Sequence, residues 1–157
     1  MKRIFKNVDG LIVDPVAYTF SIIQKNAGTK IYVGTDSQKK RSVIEYATVI
    51  AYRYGRRGCN LIYHRWNVKR KGYGRGDALI ERRLTDEIHA SIMVAEELSS
   101  NSIKIEQIDL DLNGDPQWKS NKLVQMGVGW ARGLGYNVSI KPDFQVAVKA
   151  ANHIVNH

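Results

Sequence analysis

The chain has 157 residues, 43% of them apolar, which suits one domain around one core and excludes global disorder. A single cysteine, Cys59, excludes an internal disulfide framework and any metal–thiolate cluster, and it suits a reducing compartment. The net charge of +9, with a pI near 9.7, directs attention to polyanionic partners.

The basic start, Met1-Lys2-Arg3-Ile4-Phe5-Lys6, lacks the apolar stretch of a signal peptide. No segment approaches the roughly 20 apolar residues of a membrane span, so a soluble, cytoplasmic protein is expected, with no membrane partner. Residues 1–14 carry no clear period and read as an extended lead-in. Asp14-Pro15 has the form of an N-cap and first helical position, opening a helix to about Asn26 that Gly28 closes. Residues 30–36, 42–54 and 59–68 are rich in Val, Ile, Tyr and Thr and read as three consecutive antiparallel strands, the last two joined by a turn at Gly55-Arg56-Arg57-Gly58. A basic loop with alternating glycines, Lys69 to Gly76, leads to the longest helix, about 78–99, for which Asp77 is the expected cap. A fourth strand at 103–111, a helix from about 116–119 to Gly133, a short strand at 136–140 and a final helix from Lys141-Pro142-Asp143 to about Val155 complete the order. Three antiparallel strands followed by α-β-α-β-α predict an α/β fold, a mixed five-stranded sheet with helices on both faces. No internal repeat or linker divides the chain, so 1–157 reads as one domain.

Charge is concentrated. Between Arg53 and Arg83 lie ten basic residues against two acids, Asp77 and Glu81, with Tyr54, Tyr63, Trp66 and Tyr73 interleaved. Such a patch attracts phosphate backbones, and aromatic interleaving favours nucleic acid, RNA or DNA, over a merely solvated face. Lys69, Arg70, Lys71 and Arg75 in the glycine-spaced loop are the expected phosphate contacts.

Four acids stand out by position, two of them at strand exits. Asp36 ends the apolar run Ile31-Tyr32-Val33-Gly34-Thr35. Glu87 lies on the apolar stripe Leu84, Glu87, Ile88, Ser91, Ala95, Leu98 of the long helix, where a carboxylate either reaches back to water or needs a partner. Asp86, Glu96 and Glu97 fall off that stripe and read as solvated. In the fourth strand, alternation puts Asp109 and Asp111 on one face with Ile103 and Ile105, and Asp111 sits at the exit. Asp143 opens the last helix, where capping alone would also favour an acid. If the first and fourth strands pair in parallel, Asp36 and Asp111 end side by side. Clustered carboxylates repel unless cations separate them, and hard, oxygen-seeking Mg²⁺ or Mn²⁺ is the natural filler.

With these residues the chain resembles the ribonuclease H-like superfamily. The resemblance runs over residues 30–155, with 1–28 as an N-terminal extension. It rests on Thr35-Asp36-Ser37 after an apolar strand, on the glutamate-bearing helix around Glu87, on Asp111 and Asp143, and on the element order. More narrowly it resembles a bacterial and phage family of ribonuclease H-like proteins through Tyr32 to Gln38, Leu84 to Ser91, Asp111-Leu112-Asn113, Lys119-Ser120-Asn121 and Lys141-Pro142. That resemblance implies a two-metal nuclease acting on an RNA–DNA hybrid, structured RNA or branched DNA, with Asp36, Glu87, Asp111 and Asp143 as catalytic metal ligands. One departure stands out: the family tends to carry Ala-Ala-Asp in the last helix, and this chain has Ala150-Ala151-Asn152. Asn152 and Asp109 are therefore secondary site candidates. A catalytically weak binding module is the competing expectation.

Overall fold

The computed structural model describes residues 2–113, 121–141 and 145–157. The elements run β1 (Phe5–Asn7), β2 (Ile12–Val13), α1 (Pro15–Lys25), β3 (Lys30–Lys39), β4 (Val43–Tyr54), β5 (Gly58–Lys69), α2 (Asp77–Ser100), β6 (Gln107–Asn113), α3 (Asn121–Gly133), β7 (Val138–Lys141) and α4 (Ala147–Asn156). They build one mixed sheet in the order β2-β1-β5-β4-β3-β6-β7. The five expected strands form its centre and one side. The lead-in supplies the other two, a hairpin whose β1 pairs antiparallel with β5 through Lys6↔Tyr63 and Asn7↔Ile62. Strands of three and two residues are too short for an alternation to register in sequence.

β3 pairs antiparallel with β4 and parallel with β6, and β6 pairs parallel with β7. The register Gly34↔Asp109 carries forward to Asp36 beside Asp111. The main core lies between the sheet and α1, α2 and α3, centred on Ile31, Val33, Ile50, Ile62, Ile88, Ile92, Leu98, Ile108 and Leu110. A smaller cluster on the opposite face packs Ala147 and Ala151 of α4 against Tyr32, Val49 and Ala51. Helices thus cover both faces.

Two boundaries differ from expectation and one agrees. The fourth strand starts at Gln107, not 103, because Ile103 and Ile105 are buried in the connector that follows α2. They join the same core as Ile108, so their apolarity reflects plugging the helix end, and they do not share a face with the aspartates. Gly76, with φ +58, precedes α2 as its N-cap, and Asp77 is the first helical residue, where its charge still favours the helix dipole. Asp14 caps α1 as expected, accepting from the Ala17 amide at 2.8 Å.

Candidate metal centre

Two ladders fix α2 on β3. Ser91 and Glu87 are four residues apart on one helix face, about 6 Å along the axis. Thr35 and Ser37 are two apart on one strand face, about 6.6 Å. The pitches nearly match, so both rungs close. Thr35 Oγ1 lies 2.7 Å from Ser91 Oγ and 2.8 Å from Thr48 Oγ1. Ser37 Oγ donates to Glu87 Oε1 at 2.6 Å. Arg83, one turn before Glu87, donates to Ser37 through Nε to Oγ (3.0 Å) and Nη2 to the carbonyl (2.9 Å). Glu87 is thus held at 5% exposure on the apolar stripe, and its second oxygen, Oε2, is buried with no hydrogen-bond partner.

On the opposite face, α4 is drawn against the sheet by Asp109. This fully buried carboxylate accepts from Ser139 Oγ (2.9 Å) and Gln107 Nε2 (2.7 Å). Its other oxygen accepts the Val146 and Ala147 amides at 2.8 and 2.7 Å. A strand residue therefore caps the helix, with its charge at the positive end of the dipole. Gly34 makes the approach possible. A Cβ there would stand 2.8 Å from the Val148 amide nitrogen and 3.0 Å from Ala147 Cβ. So docked, α4 brings Asn152 Nδ2 to 2.7 Å from Asp36 Oδ2. The Ser37 amide donates to the other oxygen of Asp36 at 2.9 Å.

Asp36, Glu87 and Asp111 each offer an oxygen within 4.8 Å of the other two. Burial raises the pKa of Asp36, and the charge of Asp111 adds to the rise, against the lowering by Asn152 and the Ser37 amide. Glu87 is raised further, first by burial and then by the Asp36 charge. Both acids resist ionising together without a positive charge among them. An orphaned buried oxygen on a side chain grouped with two further carboxylates fits a hard divalent cation. The residues that would hold it are Asp36, Glu87 and Asp111.

The sequence-derived candidates divide. Asp36, Glu87 and Asp111 converge, and Asn152 joins them. Asp109 does not: one oxygen is taken by Ser139 and Gln107 and the other by the α4 cap, which distinguishes it from Asp111. Asp143 lies outside the described residues. Asp86 is not merely solvated, because it accepts the hydroxyls of Tyr46 (2.8 Å) and Tyr73 (2.9 Å). Glu96 likewise accepts the Tyr136 hydroxyl at 2.5 Å, and Glu97 lies 3.7 Å from Arg3. Arg70, Lys71 and Arg75 line a concavity of about 680 Å³ with Arg41, Ser42, Gly72 and Gly74, at the end of the sheet beyond Asp36. Lys69 ends β5 beside it. Arg41, from the β3–β4 turn, adds a cation that the sequence reading missed, being remote from the loop in the chain. Ser37 and Arg83 were also missed as site residues. Their signal was present: Ser37 follows Asp36, and Arg83 precedes Glu87 by four. Lys141 was missed as well; its Nζ lies 2.5 Å from Asp111 Oδ1.

Among the described residues no helix is long and apolar enough to cross a membrane. A family model described as ribonuclease H-like matches residues 16–156, a span that includes α1. No curated protein and no solved structure matches the chain.

Proposed function

This chain belongs to the ribonuclease H-like family, and from that premise we propose that it is a Mg²⁺- or Mn²⁺-dependent nuclease hydrolysing phosphodiester bonds in a nucleic acid. The observation that carries this reading is the convergence of Asp36, Glu87 and Asp111 from three separate elements, with Glu87 Oε2 buried and unpartnered. Carboxylates serving only a structural end would have their oxygens filled by donors, as those of Asp109 are.

When bound, a divalent cation supplies Lewis-acid polarisation of the phosphate and an activated water. The chain supplies the frame. Asn152 and the Ser37 amide fix both oxygens of Asp36, so its carboxylate cannot rotate away. Ser37, itself steadied by Arg83, leaves one Glu87 oxygen committed and the other without a hydrogen-bond partner. The basic concavity holds backbone phosphates. Arg41 stands in the turn after β3, whose end at Lys39 is three residues past Asp36, roughly 10 Å along the strand. A duplex would pass roughly three base pairs over that distance. Contact there is to phosphate, so affinity is salt-sensitive and independent of sequence.

A second reading, a binding module with weak or no catalysis, is favoured by one observation: a neutral amide, Asn152, meets Asp36. A cleavage assay separates the two. The pure protein, with Mg²⁺ or Mn²⁺, is incubated with labelled RNA–DNA hybrid, duplex DNA, single-stranded RNA and a four-way junction, beside Asp36→Asn. The nuclease reading expects metal-dependent cutting of one substrate class, lost in the variant. Binding without cutting, equal in both proteins, would leave only the binding module.

A further inference from the structure

β7 carries two residues on the α4 face of the sheet, Ser139 and Lys141, two positions apart as strand alternation requires. β6 carries Asp109 and Asp111 on the same face. The two strands are parallel neighbours, with Asp109↔Ser139 in register. The result is two rungs, the outer one displaced by a register shift that sets Lys141 opposite Asn113, from where its side chain reaches Asp111. On the buried rung a hydroxyl meets Asp109 at 2.9 Å. On the outer rung an ammonium meets Asp111 at 2.5 Å. The ammonium is half exposed, while its partner is only 19% exposed, so Lys141 reaches inward from the rim. Its proton is held above the ordinary lysine range first by the hydrogen bond to Asp111, with the charges of Asp36 and Glu87 adding to the effect.

Three carboxylates, one amide and one ammonium do not make the same site as four carboxylates. Among the described residues the cluster holds three carboxylates, and Lys141 lies against one of them, Asp111. Asp111 Oδ1, which would otherwise be open to a second cation, faces Nζ. We propose that Lys141 takes the place of a second cation: the centre holds one divalent ion, between Glu87 and Asp36, and the lysine supplies the positive charge on the Asp111 side. This rests on the metal-dependent reading above and replaces the pair of ions that the sequence led us to expect. Asn152, which adds no negative charge, fits the same arithmetic. Lys141 in this role is a positioning residue, acting through Asp111.

The test is a count of ions. Mn²⁺ is titrated into the full chain and the free ion followed by electron paramagnetic resonance, for wild type, Lys141→Gln and Lys141→Arg. The expected result is one Mn²⁺ per chain for wild type and for Lys141→Arg, and a second ion taken up by Lys141→Gln over the same concentration range. Lys141→Arg guards against a trivial effect of altering the strand end, since it keeps the charge. The same count in wild type and Lys141→Gln, whether one or two, would overturn the role of Lys141 and leave the metal-dependent reading standing. No ion bound by any of the three would overturn both.

Discussion

Glu87→Gln should make the metal-free protein more stable at neutral pH and remove its response to divalent ions. The glutamine keeps the shape and can still accept from Ser37, but it carries no charge. Two estimates give the size of the gain. A unit charge 4.8 Å from a like charge costs about 3.5 kcal/mol at an effective dielectric constant of 20. Alternatively, Glu87 escapes this repulsion by staying protonated. Relative to its ordinary value of 4.5, that costs at most about 3.4 kcal/mol at pH 7, at about 1.36 kcal/mol per pH unit. The gain is therefore bounded near 3 kcal/mol, roughly 6–12 °C in Tm for a chain of this length. The sign over pH follows from a folded-state pKa raised above the unfolded one. The wild-type side chain has its full stability below pH 4.5 and loses it progressively as pH rises toward and through the folded value. The variant's advantage should vanish near pH 4.5 and grow toward neutrality. Thermal melts in EDTA at both pH values, and again in excess Mg²⁺ or Mn²⁺, make the assay. Wild type should gain about 2.7 kcal/mol at a hundred times Kd, and the variant little. A variant no more stable than wild type in EDTA at pH 7, or one with the same advantage at both pH values, would refute the reasoning.

Other expectations follow from the same geometry. Asn152→Asp adds a carboxylate against Asp36 and should tighten Mn²⁺ binding about tenfold by calorimetry while lowering metal-free stability; weaker binding would remove Asn152 from the centre. Asp109→Asn should cost about 3 kcal/mol in urea denaturation, because a buried charge with four donors is lost from the head of α4. Asp111→Asn should leave metal-free stability unchanged or higher and abolish cleavage, so equal effects of the two substitutions would contradict their separation. Gly34→Ala should cost about 1–3 kcal/mol and weaken the metal response, since the added methyl pushes α4 and Asn152 outward. Replacing Arg70 and Lys71 together with alanine should reduce the slope of log affinity against log salt by roughly two if both touch phosphate, measured by fluorescence anisotropy on duplex DNA.

Much of the centre was legible in the chain because its members sit on strong local periods. Glu87 is an acid on an apolar stripe, and Asp36 ends an apolar strand; both patterns survive folding because burial decides them. The placement of Asp36 beside Asp111 was readable only on the condition that the first and fourth strands pair in parallel, as they do. What sequence did not separate was Asp109 from Asp111. They share a face, and only the docking of α4, some 37 residues later, fills one and leaves the other. Lys141 was hidden for the same reason. A lysine at a strand end is ordinary, and its meaning comes from a neighbour across a register shift in the β6–β7 pairing. Asn152 was noticed only as a departure from a family pattern, and its bond to Asp36 depends on the close approach allowed by Gly34.

The hairpin of β1 and β2 has a consequence that is colloidal, not chemical. Without it the sheet would end at β5, a strand of twelve residues with open backbone donors and acceptors, an invitation to edge-to-edge association between chains. The hairpin covers the middle of that edge, at Ile62 and Tyr63, and ends the sheet there in strands of three and two residues, too short to template another copy. It lies ahead of residue 16, where the family match begins. The segment reads as a selvedge woven onto the common fabric, keeping a basic protein from adhering to itself.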